Sequence, residues 1–249
     1  MHVFAGLCSV VLALFLIVQS MRSPGRYSRL KGAVDGGDAS ARERLYYEVL
    51  RFEWISAALA FGAFAFDWRA LSPSLNGLAA TSFGSWLFSL TGTSGASFWL
   101  GILAGSVLAG LAIGLLLSRR RNATRAAPLP RPRLLPDFTY LLPTTLRERA
   151  LFAAVALSAG ICEEVVARAW LLATLHGFAL SGWPLVLIAS ALFGFGHYYQ
   201  GLAGVVVTFV LGIVFCALFV ATGSLVVPII VHALLDLRAA FVSRRVAPA

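Results

Sequence analysis

Charge is the scarcest feature of this sequence. Charged residues make up 12% of the 249, against about 25% in a soluble domain, and residues 169–235 contain none. A soluble core does not account for this, because several uncharged runs reach the roughly 20 residues that a helix needs to cross a bilayer. Lysine is nearly absent: Lys31 is the only one among 20 basic residues. The net charge of +9 is therefore carried by arginines grouped between apolar runs. That pattern marks cytoplasmic loops facing anionic lipid and does not argue for nucleic acid. Cysteine is sparse as well. Cys8, Cys162 and Cys216 show neither zinc nor disulfide spacing and read as small packing residues. No basic segment precedes the first apolar run, residues 3–18, so it reads as an N-out anchor helix and not as a secretory signal.

The expected architecture is all-α: a polytopic transmembrane bundle of about seven spans, with a four-helix catalytic core at its C-terminal end. Residues 1–118 form an N-terminal membrane region of about three spans. Within it, Pro24, Gly25, Gly32, Gly36 and Gly37 are expected to break any early helix, with a charged lead-in resuming over 39–51. The short apolar run 54–66 is flanked by Glu53 and Asp67, which are expected to snorkel to the interfaces. Residues 70–96 read as a lumenal loop and 97–118 as a spanning helix ended by Arg119, Arg120 and Arg121. A basic cytoplasmic linker, 119–149, follows, in which Pro128, Pro130, Pro132 and Pro136 alternate with arginines. The core, 150–240, holds helices of about 147–175, 184–199, 202–221 and 224–238, and a cytoplasmic tail, 241–249, ends the chain. The basic segments all fall on one side if the N-terminus is outside and the C-terminus cytoplasmic.

Against this uncharged background, Glu163, Glu164 and Arg168 stand out. An ionised side chain at bilayer depth costs at least ~2.5–3.5 kcal/mol, so such residues are rare and usually functional. A helix advances about 100° per residue. Arg168 is one turn beyond Glu164 and close to it in angle, the arrangement of an ion pair. Glu163 points elsewhere and is left to face a cleft. His197 shares a helix face with Phe193, and His232 shares one with Asp236. Glu163 and His232 both fall near the middle of the bilayer core by their distance from their helix ends. A carboxylate and an imidazole facing one water can polarise it for attack on a carbonyl, with neighbouring polar groups steadying the oxyanion.

Glu163-Glu164-x-x-x-Arg168, Phe193-x-x-x-His197 and His232-x-x-x-Asp236, in this order on successive core helices, resemble the CAAX protease and bacteriocin-processing (Abi) family. That family comprises intramembrane glutamic endopeptidases and includes the CAAX prenyl endopeptidase. The resemblance covers about residues 147–240. It implies that Glu163 is the general base, that His197 holds the attacking water, that Glu164 and Arg168 order the site, and that His232 helps to stabilise the oxyanion. The last motif of the family commonly ends in Asn, whereas this chain has Asp236. An ionised Asp cannot donate to an oxyanion, so its expected part is to orient His232 or Arg168.

The reading is an intramembrane endopeptidase of a bacterial inner membrane, acting on a membrane-anchored protein or peptide, with the lipid bilayer as its setting and no nucleic acid or cofactor involved. Glu163, His197, His232 and Asp236 can also be imagined around Zn²⁺, although no HExxH spacing supports it. A zinc peptidase is therefore one alternative; a non-catalytic immunity or scaffold protein and a proton-coupled carrier are others. The sequence leaves the oligomeric state open.

Overall fold

A computed structural model describes residues 2–64 and 139–242. All of the regular structure in these residues is helical. The helices are α1 (His2–Asp35), α2 (Ala41–Phe64), α3 (Leu146–Glu164), α4 (Leu172–Gly177), α5 (Gly182–Gly196), α6 (Gly201–Thr222) and α7 (Val226–Val242). A π-helical segment, Val165–Leu171, joins α3 to α4 without a break. Short 3₁₀ turns occupy Thr139–Leu141 and Tyr198–Gln200. Three stretches are long and apolar enough to cross a membrane: Phe4–Asp35, Leu146–Gly177 and Tyr198–Thr222. The expected loop at 70–96, the span at 97–118 and most of the basic linker lie outside the described residues.

The expected break at Pro24 does not occur. Pro24 removes the N–H that would bond the carbonyl of Ser20, four residues back. The Ser23 hydroxyl donates to that same carbonyl at 2.8 Å instead, so the helix runs on. It ends at the Gly36–Gly37 pair, where Gly37 takes φ +83° and its N–H donates to the carbonyl of Val34. Beyond it, Asp38 accepts from Ser40 and pairs with Arg44. The Arg44 guanidinium, with Ser40, holds the Asp38 carboxyl down at about 2.

α1 and α2 form an antiparallel hairpin, and α2 then runs alongside α3 in the same direction. Successive contacts along that pair are Arg42 to Glu148, the Tyr46 ring to Phe152, and the Trp54 indole to the Ser158 hydroxyl. The start of α3 is fixed by a capping box, in which Thr145 accepts from the Glu148 N–H and the Glu148 carboxylate accepts from the Thr145 N–H. The Arg42 guanidinium also donates to the Tyr140 carbonyl and the Tyr46 hydroxyl to that of Leu141. These contacts clasp the Thr139–Leu141 turn to the first half of α2. The main apolar core lies among α4, α5, α6 and α7, around Leu172, Leu185, Val186, Phe215 and Phe219. A second core joins Leu12, Ala60, Val165 and Trp170 across α1, α2 and the π segment.

Small residues set how closely the helices approach. A Cβ on Gly160 of α3 would lie 2.8 Å from Ala233 Cβ and 3.0 Å from the Ala233 N and the Ile229 carbonyl of α7. A Cβ on Gly212 of α6 would meet Ser190 of α5 at 2.9 Å. Such contacts let two backbones come together where lipid offers no hydrophobic drive for association. The Gly160 approach lies one turn before Glu163 and Glu164 and opposite His232.

Candidate active site

Glu164, at the end of α3, is fully buried and engaged at both oxygens. Its Oε1 accepts from His232 Nδ1 at 2.8 Å. Its Oε2 lies 3.1 Å from Arg168 Nε, off the N–H axis, so this contact is an ion pair and not a linear hydrogen bond. The π segment carries Arg168, which is 1% exposed. Its guanidinium lies between two rings, 4.5 Å from the centre of Phe193 and 5.1 Å from that of Phe215. Arg168 Nη2 also reaches the Gly212 carbonyl at 3.4 Å. Cation–π contact of this kind is strongest when desolvated. The expected Glu164–Arg168 pair is thus present, with two aromatic faces that the spacing argument did not reveal.

Glu163 points away from this pair, as its angular position implies. Its Oε2 lies 3.7 Å from His197 Nε2 and 3.8 Å from His232 Nε2. Neither distance is a direct hydrogen bond, and Oε2 has no other partner among the described residues. His197 caps α5, just outside the helix. Its Nδ1 lies 3.0 Å from the Phe193 carbonyl. A carbonyl only accepts, so Nδ1 carries the hydrogen and Nε2 faces Glu163. His232 is fixed in the same sense: Nδ1 donates to Glu164, and Nε2 faces Glu163 and Asp236, whose Oδ2 is 3.6 Å away. Phe215 stacks on the His232 ring at 5.0 Å and 16°.

All six expected site residues therefore come together, from α3, the π segment, the end of α5, and α7. Asp236 lies beside His232; its expected alternative partner, Arg168, is held by other groups. Three neighbours went unnoticed in the sequence. Phe215 and Gly212 give no signal there, since each lies in a uniformly apolar helix. Glu53 was expected at the interface and is instead 3% exposed; its position on the α3-facing side of α2 accounts for that. Cys162 and Cys216 are buried free thiols. Among the described residues, no three His, Cys, Asp or Glu side chains converge so as to hold a metal ion.

Apolar helices of spanning length, with carboxylates and imidazoles gathered between them, point to an integral membrane protein with a buried polar site. Residues 145–238 match the Rce1-like family, the type II CAAX prenyl endopeptidases. That segment, which contains the six expected site residues, is similar to the CAAX protease family. No curated protein and no solved structure matches the chain. The match supports a CAAX-type membrane protease in general terms, and the substrates of that family are membrane-anchored peptides or prenylated proteins.

Proposed function

We propose that this protein is an intramembrane endopeptidase in which Glu163 activates water. One observation carries the reading: Glu163 stands within 4 Å of two imidazole Nε2 atoms, while Glu164 is already bound on both sides. A water donating one hydrogen to Glu163 and the other to His197 Nε2 presents its lone pair outward. Hydrogen bonds of ~2.8 Å to both acceptors need them about 4–4.5 Å apart. The partly exposed Glu163 side chain has to swing by less than ~1 Å from its present place, the kind of adjustment that substrate binding produces. Glu163 then takes a proton as the water oxygen bonds to the scissile carbonyl carbon. His232, when it carries both ring protons, donates Nδ1–H to Glu164 and Nε2–H to the oxyanion. The proton on Glu163 passes to the leaving nitrogen as the C–N bond breaks. Asp236, with its Oδ2 3.6 Å from His232 Nε2, sets its charge beside the doubly protonated ring and steadies it electrostatically. Arg168 neutralises Glu164 and takes no part in the proton transfers.

The seven-span, N-out arrangement in a bacterial inner membrane fits this reading. Because α2 and α3 run in the same direction, the end of α2 and the Thr139 turn lie at opposite ends of the bundle, in keeping with that count. The cut then falls near the cytoplasmic leaflet, in a leader peptide, a bacteriocin precursor, an anchored regulator or a C-terminal sorting helix.

Glu163→Gln tests the mechanism. Expression and melting temperature in detergent should stay near wild type while cleavage of a membrane-peptide library disappears. Cleavage above a few per cent of the wild-type rate would assign the base elsewhere.

A further inference from the structure

Phe215, on α6, lies outside the three spaced motifs and takes no part in the steps above. Its place in the fold is nonetheless closely fixed. Three residues earlier, Gly212 lets α6 close on Ser190 of α5, where a Cβ would come within 2.9 Å. Phe215 itself is 1% exposed and belongs to the main core with Leu185, Val186 and Phe219. A ring packed at that density has little freedom to turn.

The orientation so fixed presents a face to the site. The His232 imidazole lies nearly parallel to the Phe215 ring, 16° off, with 5.0 Å between centres. The Arg168 guanidinium lies over the same ring at 5.1 Å. Phe193 meets these two groups differently. It is nearer to Arg168, at 4.5 Å, but stands edge-on to His232, at 90° and 6.3 Å. Phe215 is therefore the ring that stacks on the histidine.

His232 needs such a neighbour. Glu163, Glu164 and Asp236 all reach its nitrogens, but only Glu164 comes within hydrogen-bond distance, at Nδ1. The torsion that turns an imidazole about its Cβ–Cγ bond is broad and soft. One hydrogen bond at one nitrogen leaves the plane of the ring loosely held. A parallel aromatic face restricts that rotation, and its negative potential suits a ring that carries both protons. In the proposed reaction Nε2–H must meet the oxyanion, so a modest tilt takes the donor off its target.

We propose that Phe215 is a positioning residue for His232: its face sets the plane of the imidazole, keeping Nδ1–H on Glu164 while Nε2 stays turned toward Glu163. The inference rests on the hydrolase reading for its kinetic consequence alone.

The experiment uses the full chain in detergent with ¹⁵N-labelled histidine. The ring signals of His232 are identified by their loss in His232→Gln. Phe215→Met keeps an apolar side chain in the core and removes the aromatic face. Phe219→Met is the control, because Phe219 lies one turn further along α6 and shares the core but not the stack. Both replacements should lower the melting temperature. Only Phe215→Met should shift and broaden the His232 Nδ1 signal, whose position reports the hydrogen bond to Glu164. On a membrane-peptide library, Phe215→Met should lower kcat about tenfold or more with KM within about twofold, the mark of a group misplaced in the transition state. Phe219→Met should leave kcat within about twofold of wild type. A His232 signal unmoved in Phe215→Met, or moved equally in Phe219→Met, would overturn the assignment. So would an unchanged kcat in Phe215→Met. If wild type cleaves nothing while the His232 signal responds to Phe215→Met alone, the positioning contact stands and the hydrolase reading fails.

Discussion

Glu164 and Arg168 are each nearly inaccessible to solvent, and each is the other's countercharge. Removing one partner of such a pair leaves an uncompensated buried charge and costs ~3–5 kcal/mol. Glu164→Ala and Arg168→Ala should therefore each lower the melting temperature as well as the activity. The double replacement should be milder than either single one. A thermal-shift series in detergent decides this, and strictly additive losses would show that the two do not act as a pair. Glu163 and His197 bear on metal dependence. The proposed water is held by Glu163 and His197 alone, so purified protein should contain well under one equivalent of zinc and remain active after chelation. Stoichiometric zinc, with activity lost to a chelator and restored by Zn²⁺, would turn the carboxylates and imidazoles into ligands.

At the scale of the helices, the site depends on how closely α3 approaches α7. Glu164 and His232 meet because Gly160 lets the backbone at Ala233 come within contact. Gly160→Ala forces a methyl into that interface, which costs ~1–3 kcal/mol in packed structures. It should reduce cleavage out of proportion to its effect on binding of an uncleaved peptide, because it parts Glu164 from His232. Ala233→Gly should rescue it only in part, since the Ala233 N and the Ile229 carbonyl remain 3.0 Å from the new methyl. Turnover and melting temperature of the three variants provide the check. This closeness also explains what could be read in advance. The helices of the site, the Glu164–Arg168 pair and the direction of Glu163 follow from periodicity, because buried charges in apolar helices have few places to go. Glu53 did not follow, because its burial depends on which face of α2 meets α3, a long-range fact. The continuous α1 did not follow either: Pro24 is a breaker by itself, and only the Ser23 hydroxyl on the freed carbonyl undoes that. The π segment has no composition of its own to announce it.

For the whole molecule, the expected topology has a direct readout. The turn at 36–40 and the starts of α3 and α6 share one side, since the Tyr27 ring of α1 stacks on Tyr199 just before α6 and Arg147 of α3 pairs with Glu43 of α2. The α4–α5 turn lies on the other. In a chain stripped of its native cysteines, Ser40→Cys should react with a membrane-impermeant thiol reagent only from the cytoplasm, and Ala179→Cys only from outside. The reverse pattern would place the site's opening at the other leaflet.

The π segment from Val165 to Leu171 also says something about chain length. A π turn is an α-helix that has absorbed extra backbone without unwinding. Everything before it, Glu163 and Glu164 included, is out of phase with everything after it by comparison with an uninterrupted α-helix. The spacing between the carboxylates and the outer end of this helix is thereby uncoupled from helical phase. Residues can be gained or lost on the α4 side without rotating the carboxylates out of the site, which gives this helix a place where its length can drift while the chemistry stays still.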